Sequence, residues 1–202
     1  MRLLPYEKQQ IYYDTVYHWF DHSAWKLIEA RTITGREEGV FAWLAVTHKR
    51  KILTGDMYED VGVMDMGGAS VQIVTSVASS EGKNPDDLVH VEVDHKDITL
   101  FVHSFLGLGA TLVSQHFLNN PVCFPEGYPL PDGSMGHGNA ERCEEAVSRL
   151  INDVYAVNAT IQPVLSLETP KTWYVLGGLA YLLKEDPFRR DGQDTTSAWL
   201  LS

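Results

Sequence analysis

The alternation of apolar and polar residues predicts two helices separated by a strand near the start of the chain. Apolar residues between positions 5 and 22 fall roughly on one face, which is typical of an amphipathic helix. Residues 25–33 are predicted to form a strand and residues 36–50 a second helix. Thr34 with Glu37 three residues later matches a capping box at the start of that helix.

Short apolar runs in the middle of the chain predict a sheet. Residues 61–66 and 70–77 form two runs on either side of a double-glycine turn. Residues 89–94 alternate between apolar and polar side chains, and residues 98–102 are their predicted partner strand. Later in the chain the pattern predicts, in order, a helix over 108–118, a Pro- and Gly-rich loop over 121–138, a helix over 140–158, a buried strand over 173–176 and a short helix ending near Lys184. This order predicts an α/β fold with a mixed sheet and flanking helices.

Length and composition are those of one globular domain. We expect residues 1–188 of the 202 to form it and residues 189–202 to be a loosely ordered tail. The formal net charge of −11 argues against a protein that binds nucleic acid, which needs a basic surface. No apolar run reaches the length of about 18 residues that would indicate a membrane span, and the first residues lack the apolar core of a signal peptide.

Two cysteines, Cys123 and Cys143, have no metal-binding spacing. From their spacing alone, a disulfide and a pair of free buried thiols are equally good explanations.

The turn between the first two predicted strands is the first candidate for chemistry. A strand brings Asp65 to Gly67-Gly68-Ala69, and the next strand begins at Ser70. Two glycines let the backbone approach a ligand closely and aim successive N–H groups at an anion. A plain hairpin turn would explain this segment equally well when it is taken by itself.

The second candidate is the start of the helix predicted over residues 36–50. Glu37 and Glu38 lie in its first turn, where acidic side chains interact favourably with the helix dipole, and Trp43 follows. A capped helix start accounts for the two acids, whereas the functional alternative is a general base at a helix N-terminus. We expect Trp43 to be a packing residue rather than a ligand.

Together the two segments resemble two signature regions of the apyrase, or nucleoside triphosphate diphosphohydrolase, family, with the patterns G-x-E-E-G-x-x-x-W and D-[LM]-G-G-A-S-x-Q. Residues 1–5 and 102–107 resemble further segments of the same family. The resemblance covers most of residues 1–188 and is strongest to secreted bacterial members. It implies one lobe, the second, of an actin-like (ribonuclease H-like) two-lobed fold.

The resemblance also implies how a water molecule would be activated. Glu38, the second acid of the pair, matches the general base that deprotonates the attacking water. Ser70 and Gln72 match the side chains that hold this water. The implied reaction is removal of terminal phosphates from nucleoside tri- and diphosphates, without a covalent intermediate.

The remaining implied roles concern phosphate and metal. Backbone N–H groups of Gly67, Gly68 and Ala69, together with Ser70, would bind the terminal phosphate. Asp65 would hold a Ca²⁺ or Mg²⁺ ion through water. His103 also lies in a matching segment, but we expect it to be a structural histidine.

Parts of the family's pattern are missing from this sequence, above all the first-lobe phosphate loop of the type D-A-G-S-T-G-x-R. We therefore expect the chain alone to bind nucleotides weakly, to hydrolyse them negligibly and to be able to self-associate through surface that the first lobe would cover. The resemblance implies a periplasmic or secreted parent protein, and this favours a disulfide between Cys123 and Cys143. Two alternatives stay open: an exopolyphosphatase-like phosphatase lobe, and a non-catalytic folding or interaction module.

Overall fold

The structure is a computed structural model that describes residues 1–27, 29–54, 61–165 and 172–185. Its α-helices are α1 (Tyr6–Asp21), α2 (Gly35–Thr54), α3 (Ala110–Phe117), α4 (Ala140–Arg149), α5 (Val157–Leu165) and α6 (Gly178–Leu182). Its strands are β1 (Val61–Met66), β2 (Ser70–Ser76), β3 (Leu88–Val93), β4 (Lys96–Leu106) and β5 (Thr172–Gly177). None of the helices in these ranges is long and apolar enough to cross a membrane.

The strands form one mixed five-stranded sheet in the order β3-β4-β2-β1-β5. The pairs β3–β4, β4–β2 and β2–β1 are antiparallel, and β5 runs parallel to β1. The central strand β2 is buried over almost its whole length, and this includes its polar residues Ser70, Gln72 and Thr75. The predicted α/β fold class with a mixed sheet and flanking helices is therefore confirmed.

Helix α2 covers one face of the sheet and contributes Trp43 and Val46 to the core there. Trp43 is fully buried, and its indole N–H donates to the carbonyl of Val61 at 3.2 Å. A Cβ at Gly39 would lie only 2.9 Å from side-chain atoms of Val74 and Val102, so this glycine lets the helix approach the strands closely. Trp43 is a packing residue, as predicted.

The opposite face of the sheet is covered by α5. Ile161 and Val164 of this helix join Ile73, Phe101 and Phe105 of the sheet in a second apolar cluster. The sheet is therefore covered on both faces, and every polar side chain that its central strand presents needs a hydrogen-bond partner within the protein.

The capping box predicted at the start of α2 is confirmed. The backbone N–H of Thr34 donates to Glu37 Oε2 at 2.8 Å, and the backbone N–H of Glu37 donates to Thr34 Oγ1 at 3.1 Å. These two bonds satisfy donors that the first turn of a helix otherwise leaves free, and so they fix where α2 begins.

The strand predicted over residues 25–33 is wrong, because the described residues of this segment form no strand. They lie along α1 instead: the N–H of Ala30 donates to Tyr17 Oη at 2.9 Å, and Thr32 Oγ1 donates to Gln9 Oε1 at 2.6 Å. The apolar content of the segment is typical of a strand, but no strand of the described sheet is its neighbour.

The single helix predicted over residues 140–158 is divided in the structure. A π-helical turn over Leu150–Val154 follows α4, and α5 starts after Ala156, whose φ is 50°. This backbone conformation is unfavourable for alanine, so the sequence does not predict the break. The predicted tail over residues 189–202 lies outside the described residues.

The disulfide favoured by the family resemblance is present and joins Cys123 to Cys143. It ties the turn Pro121–Cys123 to the first half of α4. The Pro- and Gly-rich loop between the two cysteines is thus anchored covalently at its end.

Candidate active site

Three of the predicted site residues meet where the start of α2 packs against the central strand β2. Glu38 lies in the first turn of α2, while Ser70 and Gln72 are two positions apart on β2 and therefore face the same side. Gln72 Nε2 lies 2.6 Å from Glu38 Oε2 and 2.9 Å from Ser70 Oγ. Gln72 is only 1% exposed, so protein groups must satisfy the donors of its amide NH₂ group, and these two bonds do so.

The neighbouring acid Glu37 has a different environment. Its carboxylate accepts hydrogen bonds from Arg31 at 2.7 Å and from Thr34, and these contacts lower its pKa to about 2. The two acids in the first turn of α2 thus have different roles. Glu37 caps the helix, and Glu38 faces the polar side chains of β2.

The double-glycine turn next to these side chains is held by the segment that begins α3. The carbonyl groups of the turn accept four backbone hydrogen bonds: from Ala110 to Gly67 at 2.9 Å, from Thr111 and Leu112 to Gly68 at 2.9 and 3.2 Å, and from Gly107 to Ala69 at 2.7 Å. In a trans peptide the N–H points opposite to the preceding carbonyl. The N–H groups of Gly68 and Ala69 therefore point away from α3.

These two N–H groups have no hydrogen-bond acceptor among the described residues. The N–H of Gly67, by contrast, closes the turn by donating to the carbonyl of Ser70 at 3.0 Å. The sequence predicted that the N–H groups of Gly67, Gly68 and Ala69 bind phosphate. Those of Gly68 and Ala69 are free for an anion, whereas that of Gly67 is used to close the turn.

A cavity of about 430 Å³ lies over the turn, with Glu38 and Ser70 in its wall. Residues 1–3 and 31–33 form much of the opposite wall. The uncommitted N–H groups, the hydroxyl and the carboxylate therefore meet in a space large enough for a phosphate group.

Asp65 lies at the end of β1 beside this cluster, level with Gln72 on β2 and Leu176 on β5. It is half-buried, and the pKa of its carboxyl is raised first by burial and then by the negative charge of Glu38. A desolvated carboxylate near a second one is a favourable partner for a cation. Calcium and magnesium prefer such oxygen ligands, so Asp65 fits the predicted metal.

Asp65 is not part of a larger group of metal-ligating side chains among the described residues. No group of three or more His, Cys, Asp or Glu side chains suited to a metal occurs in the described ranges. Magnesium is commonly bound by one or two carboxylates together with substrate phosphates, and Asp65 matches that kind of site.

Two residues that had no predicted role also reach the cluster. The guanidinium group of Arg2 contacts Glu38 Oε2 and donates to Ser70 Oγ at 2.8 Å. Ser104 Oγ lies 3.2 Å from Gln72 Nε2 and 3.5 Å from Arg2 Nη1. Both residues lie in segments that resemble the family, so the sequence indicated that these segments matter. It did not indicate that the two side chains lie next to Glu38.

His103, the neighbour of Ser104 on β4, faces the other side of the sheet. Its Nδ1 lies 2.7 Å from Asp87 Oδ1, and its ring packs between those of Phe101 and Phe105. The histidine thus ties the turn before β3 to the sheet, away from the cluster around Glu38.

A sequence model of the GDA1/CD39 (nucleoside phosphatase) family matches residues 1–162. The chain is 37% identical over 94 residues to a Golgi apyrase of Schizosaccharomyces pombe, covering 44% of this chain and 16% of that protein. It is 33% identical over 130 residues to ectonucleoside triphosphate diphosphohydrolase 5 of Gallus gallus, covering 60% of this chain and 30% of that protein. A crystal structure of nucleoside triphosphate hydrolases from Neospora caninum matches with 30% identity and a TM-score of 0.34, covering 46% of this chain and 19% of that chain.

The chain spans less than a third of the length of each of these relatives. The family match, however, covers most of the chain and includes α2, the double-glycine turn and β4. Every residue of the cluster around Glu38 lies within the matched range. On this match the chain belongs to the GDA1/CD39 (nucleoside phosphatase) family.

Proposed function

We propose that this chain forms part of a hydrolase that removes terminal phosphates from nucleoside tri- and diphosphates by attack of an activated water. The observation that carries the proposal is the meeting of Glu38, Ser70 and Gln72 beside a turn with two free N–H groups. Transfer of a phosphoryl group to water needs a positioned nucleophile and donors for the phosphate oxygens. The cluster offers both within one cavity.

Glu38 is the general base in this proposal. A carboxylate in this role typically contributes about 10²–10⁴-fold to the rate. Ser70 and Gln72 hold the water without competing as nucleophiles; Gln72 does so through its amide oxygen, because its amide protons are bonded within the protein. The N–H groups of Gly68 and Ala69 bind the terminal phosphate. This arrangement needs no covalent intermediate.

Asp65 would hold a divalent cation, Ca²⁺ or Mg²⁺, through water. When bound, such an ion neutralises charge on the phosphate oxygens. Because Asp65 supplies only one carboxylate, the substrate's phosphates would have to supply further ligands.

We further propose that residues 1–188 are the second lobe of a two-lobed, actin-like hydrolase. The chain matches only 16% to 34% of the length of relatives such as the Golgi apyrase and the human ectonucleoside triphosphate diphosphohydrolase 3. The first-lobe phosphate loop that the family resemblance implies is not in this sequence. The chain alone would bind nucleotides weakly, turn over negligibly and self-associate through the uncovered surface, while its parent protein would be periplasmic or secreted.

Thermal unfolding with ligands tests the binding half of this proposal. ATP or ADP with Ca²⁺ or Mg²⁺ should raise the Tm of the chain, since a ligand that binds only the folded state stabilises it. A shift with inorganic polyphosphate but not with nucleotides would favour the exopolyphosphatase-like alternative. No shift with either would favour the non-catalytic module.

Phosphate release tests the catalytic half. The chain should be assayed alone and joined to the first lobe of a longer relative, with Glu38→Gln beside Glu37→Gln as its matched control. We expect turnover only in the joined protein, lost in Glu38→Gln and retained in Glu37→Gln. Robust turnover by the chain alone would contradict the lobe assignment, and equal effects of the two variants would contradict the role of Glu38.

A further inference from the structure

The Arg2 guanidinium makes contacts that settle which atoms of the cluster stay free for a ligand. It contacts Glu38 Oε2 and donates to Ser70 Oγ at 2.8 Å, and the Arg2 side chain is only 22% exposed. A planar guanidinium can serve two acceptors at once, which the single ammonium of a lysine does less well. Arg2 therefore links the first turn of α2 to the first residue of β2.

The contact with Arg2 determines where the hydroxyl proton of Ser70 can point. A hydroxyl oxygen has two acceptor lone pairs and one proton. Ser70 Oγ receives one hydrogen bond from Arg2 and one from Gln72 Nε2, at 2.8 and 2.9 Å. Both lone pairs are therefore filled, and the hydroxyl proton of Ser70 is left to be donated into the cavity that Ser70 lines.

The same count applies to Glu38 and Gln72. Glu38 Oε2 accepts from both Arg2 and Gln72, so Oε1 is the carboxylate oxygen that remains for a proton from water. The Gln72 amide has two protons: one goes to Glu38, and the other is shared by Ser70 at 2.9 Å and Ser104 at 3.2 Å. Ser104 thus helps to hold the plane of the amide.

Helix α2 is shaped to leave room for Arg2 and Ser104. A Cβ at Gly35, the first residue of α2, would lie 2.1 Å from Ser104 Oγ and 2.3 Å from Arg2 Nη1. Any side chain at this position would push both groups away from the cluster. The close approach is an observation separate from the hydrogen bonds, and it indicates the same arrangement.

We propose that Arg2 and Ser104 are positioning residues for the hydrolysis, an inference that rests on the proposed function of Glu38, Ser70 and Gln72. Arg2 fills one acceptor position on Ser70 and one on Glu38, and Ser104 holds the Gln72 amide. Without Arg2, the Ser70 hydroxyl is free to turn its proton toward the Glu38 carboxylate. The two groups that should orient water would then satisfy each other.

The first test needs no turnover. In the folded chain, NMR should show slow exchange with water for the two Gln72 side-chain amide protons. Ser104→Ala should speed this exchange roughly tenfold, the effect of losing about one hydrogen bond. Arg2→Ala should speed it too, because Arg2 contacts Glu38 and Ser70, the two groups that accept the Gln72 protons. Arg2→Lys should fall between Arg2→Ala and the wild type, and Arg149→Ala, which removes an exposed arginine paired with Glu145, should change nothing.

Unchanged Gln72 exchange in the folded variants would overturn the proposal, because Arg2 would then merely anchor the N-terminal segment. If Arg2→Ala does not fold, Arg2→Lys and Ser104→Ala decide the question by the same criterion. In the joined protein of the phosphate-release assay, Arg2→Ala should lower kcat at least roughly tenfold and change KM less than threefold. An effect on KM alone would contradict positioning and make Arg2 a substrate ligand.

The two proposals can fail separately. If no version of the protein releases phosphate, the proposed hydrolysis is wrong, while the exchange of the Gln72 protons still decides whether Arg2 and Ser104 hold the cluster. If wild type turns over and Glu38→Gln does not, but the Arg2 and Ser104 variants match wild type, only the positioning proposal is wrong.

Discussion

Glu38 and Gln72 are 34 residues apart in the sequence, yet Glu38 Oε2 accepts a hydrogen bond from Gln72 Nε2 at 2.6 Å. The bond joins the first turn of α2 to the centre of the sheet and gives the buried Gln72 amide a charged acceptor. Hydrogen bonds to a charged group are stronger than those between neutral groups. This contact therefore fixes both the start of α2 and the direction of the Glu38 carboxylate.

Gln72→Glu would place a second carboxylate against Glu38. At neutral pH we expect it to destabilise the chain by roughly 2 kcal/mol, since a donor to a charged acceptor is replaced by a like charge. Two close carboxylates share one proton, so the loss should diminish as pH falls. Urea unfolding at several pH values measures this, and a loss independent of pH would contradict the direct Glu38–Gln72 contact.

Glu37→Gln tests whether the charge of Glu37 stabilises the start of α2 through Arg31. The pKa of Glu37 is lowered from 4.5 to about 2, first by Arg31 and then by Thr34, so its charge stabilises the fold above pH 4.5. That contribution is lost as pH falls from 4.5 toward 2. We expect Glu37→Gln to have a lower Tm than wild type at neutral pH and an equal Tm near pH 2, because glutamine keeps the capping box but not the charge. A Tm difference unchanged between these pH values would contradict the ion pair with Arg31.

Much of this architecture could be predicted from local sequence, and the departures have physical reasons. The capping box of Thr34 and Glu37 and the alternation in β3 are short-range patterns, so the elements they define were predicted correctly. Residues 25–33 have a strand's composition, but whether a strand forms depends on a partner at a sheet edge, which the sequence does not show.

At the candidate site, too, contacts between distant parts of the chain could not be predicted from local sequence. The roles proposed for Glu38 and Asp65 came from two separate motifs, residues 35–43 and 65–72, each of which is local in the sequence. The contact of Arg2 with Ser70 spans 68 residues and depends on how the N-terminal segment folds back over the sheet. No local pattern contains that information. The Gly67 N–H, too, is committed to the turn for a reason visible only in three dimensions.

Gly109→Ala tests how the start of α3 supports the double-glycine turn. Gly109 has an ordinary φ of −68°, so a methyl group there meets no backbone strain, but its Cβ would lie 2.3 Å from the backbone nitrogens of Ala69 and Ser70. We expect a loss of a few kcal/mol in unfolding free energy, typical of overpacking, and loss of the nucleotide-dependent Tm shift. Gly67→Ala is the contrast, because its nearest contact is an ordinary 3.8 Å to the Ser70 carbonyl. Equal stability of the two variants would contradict this tight packing.

The disulfide should stabilise the fold without shaping the site. Cys123 and Cys143 close a loop of 20 residues, for which the chain-entropy model gives about 3 kcal/mol. We expect the double variant Cys123→Ser with Cys143→Ser to lower the unfolding free energy by roughly that amount and to keep the nucleotide-dependent Tm shift. Loss of that shift in a folded double variant would show that the loop takes part in binding.

Asp65→Asn tests the proposed cation site, first without metal and then with it. Burial and Glu38 raise the pKa of Asp65, so its ionised form is disfavoured in the folded chain. Without metal, the neutral asparagine should therefore raise Tm at neutral pH. This gain should shrink as pH falls through the raised pKa, where wild-type Asp65 also becomes neutral.

The response to a divalent cation should have the opposite sign. Wild type should gain Tm from Ca²⁺ or Mg²⁺ with nucleotide, and Asp65→Asn should not, because the ion would lose its carboxylate. Asp132→Asn is the control: the hydrogen bonds from Ser134 lower the pKa of Asp132, so that variant should gain nothing at neutral pH and should keep the response to cation and nucleotide. A cation response in Asp65→Asn equal to that of wild type would remove Asp65 from the metal site, whatever its effect on Tm in the absence of metal.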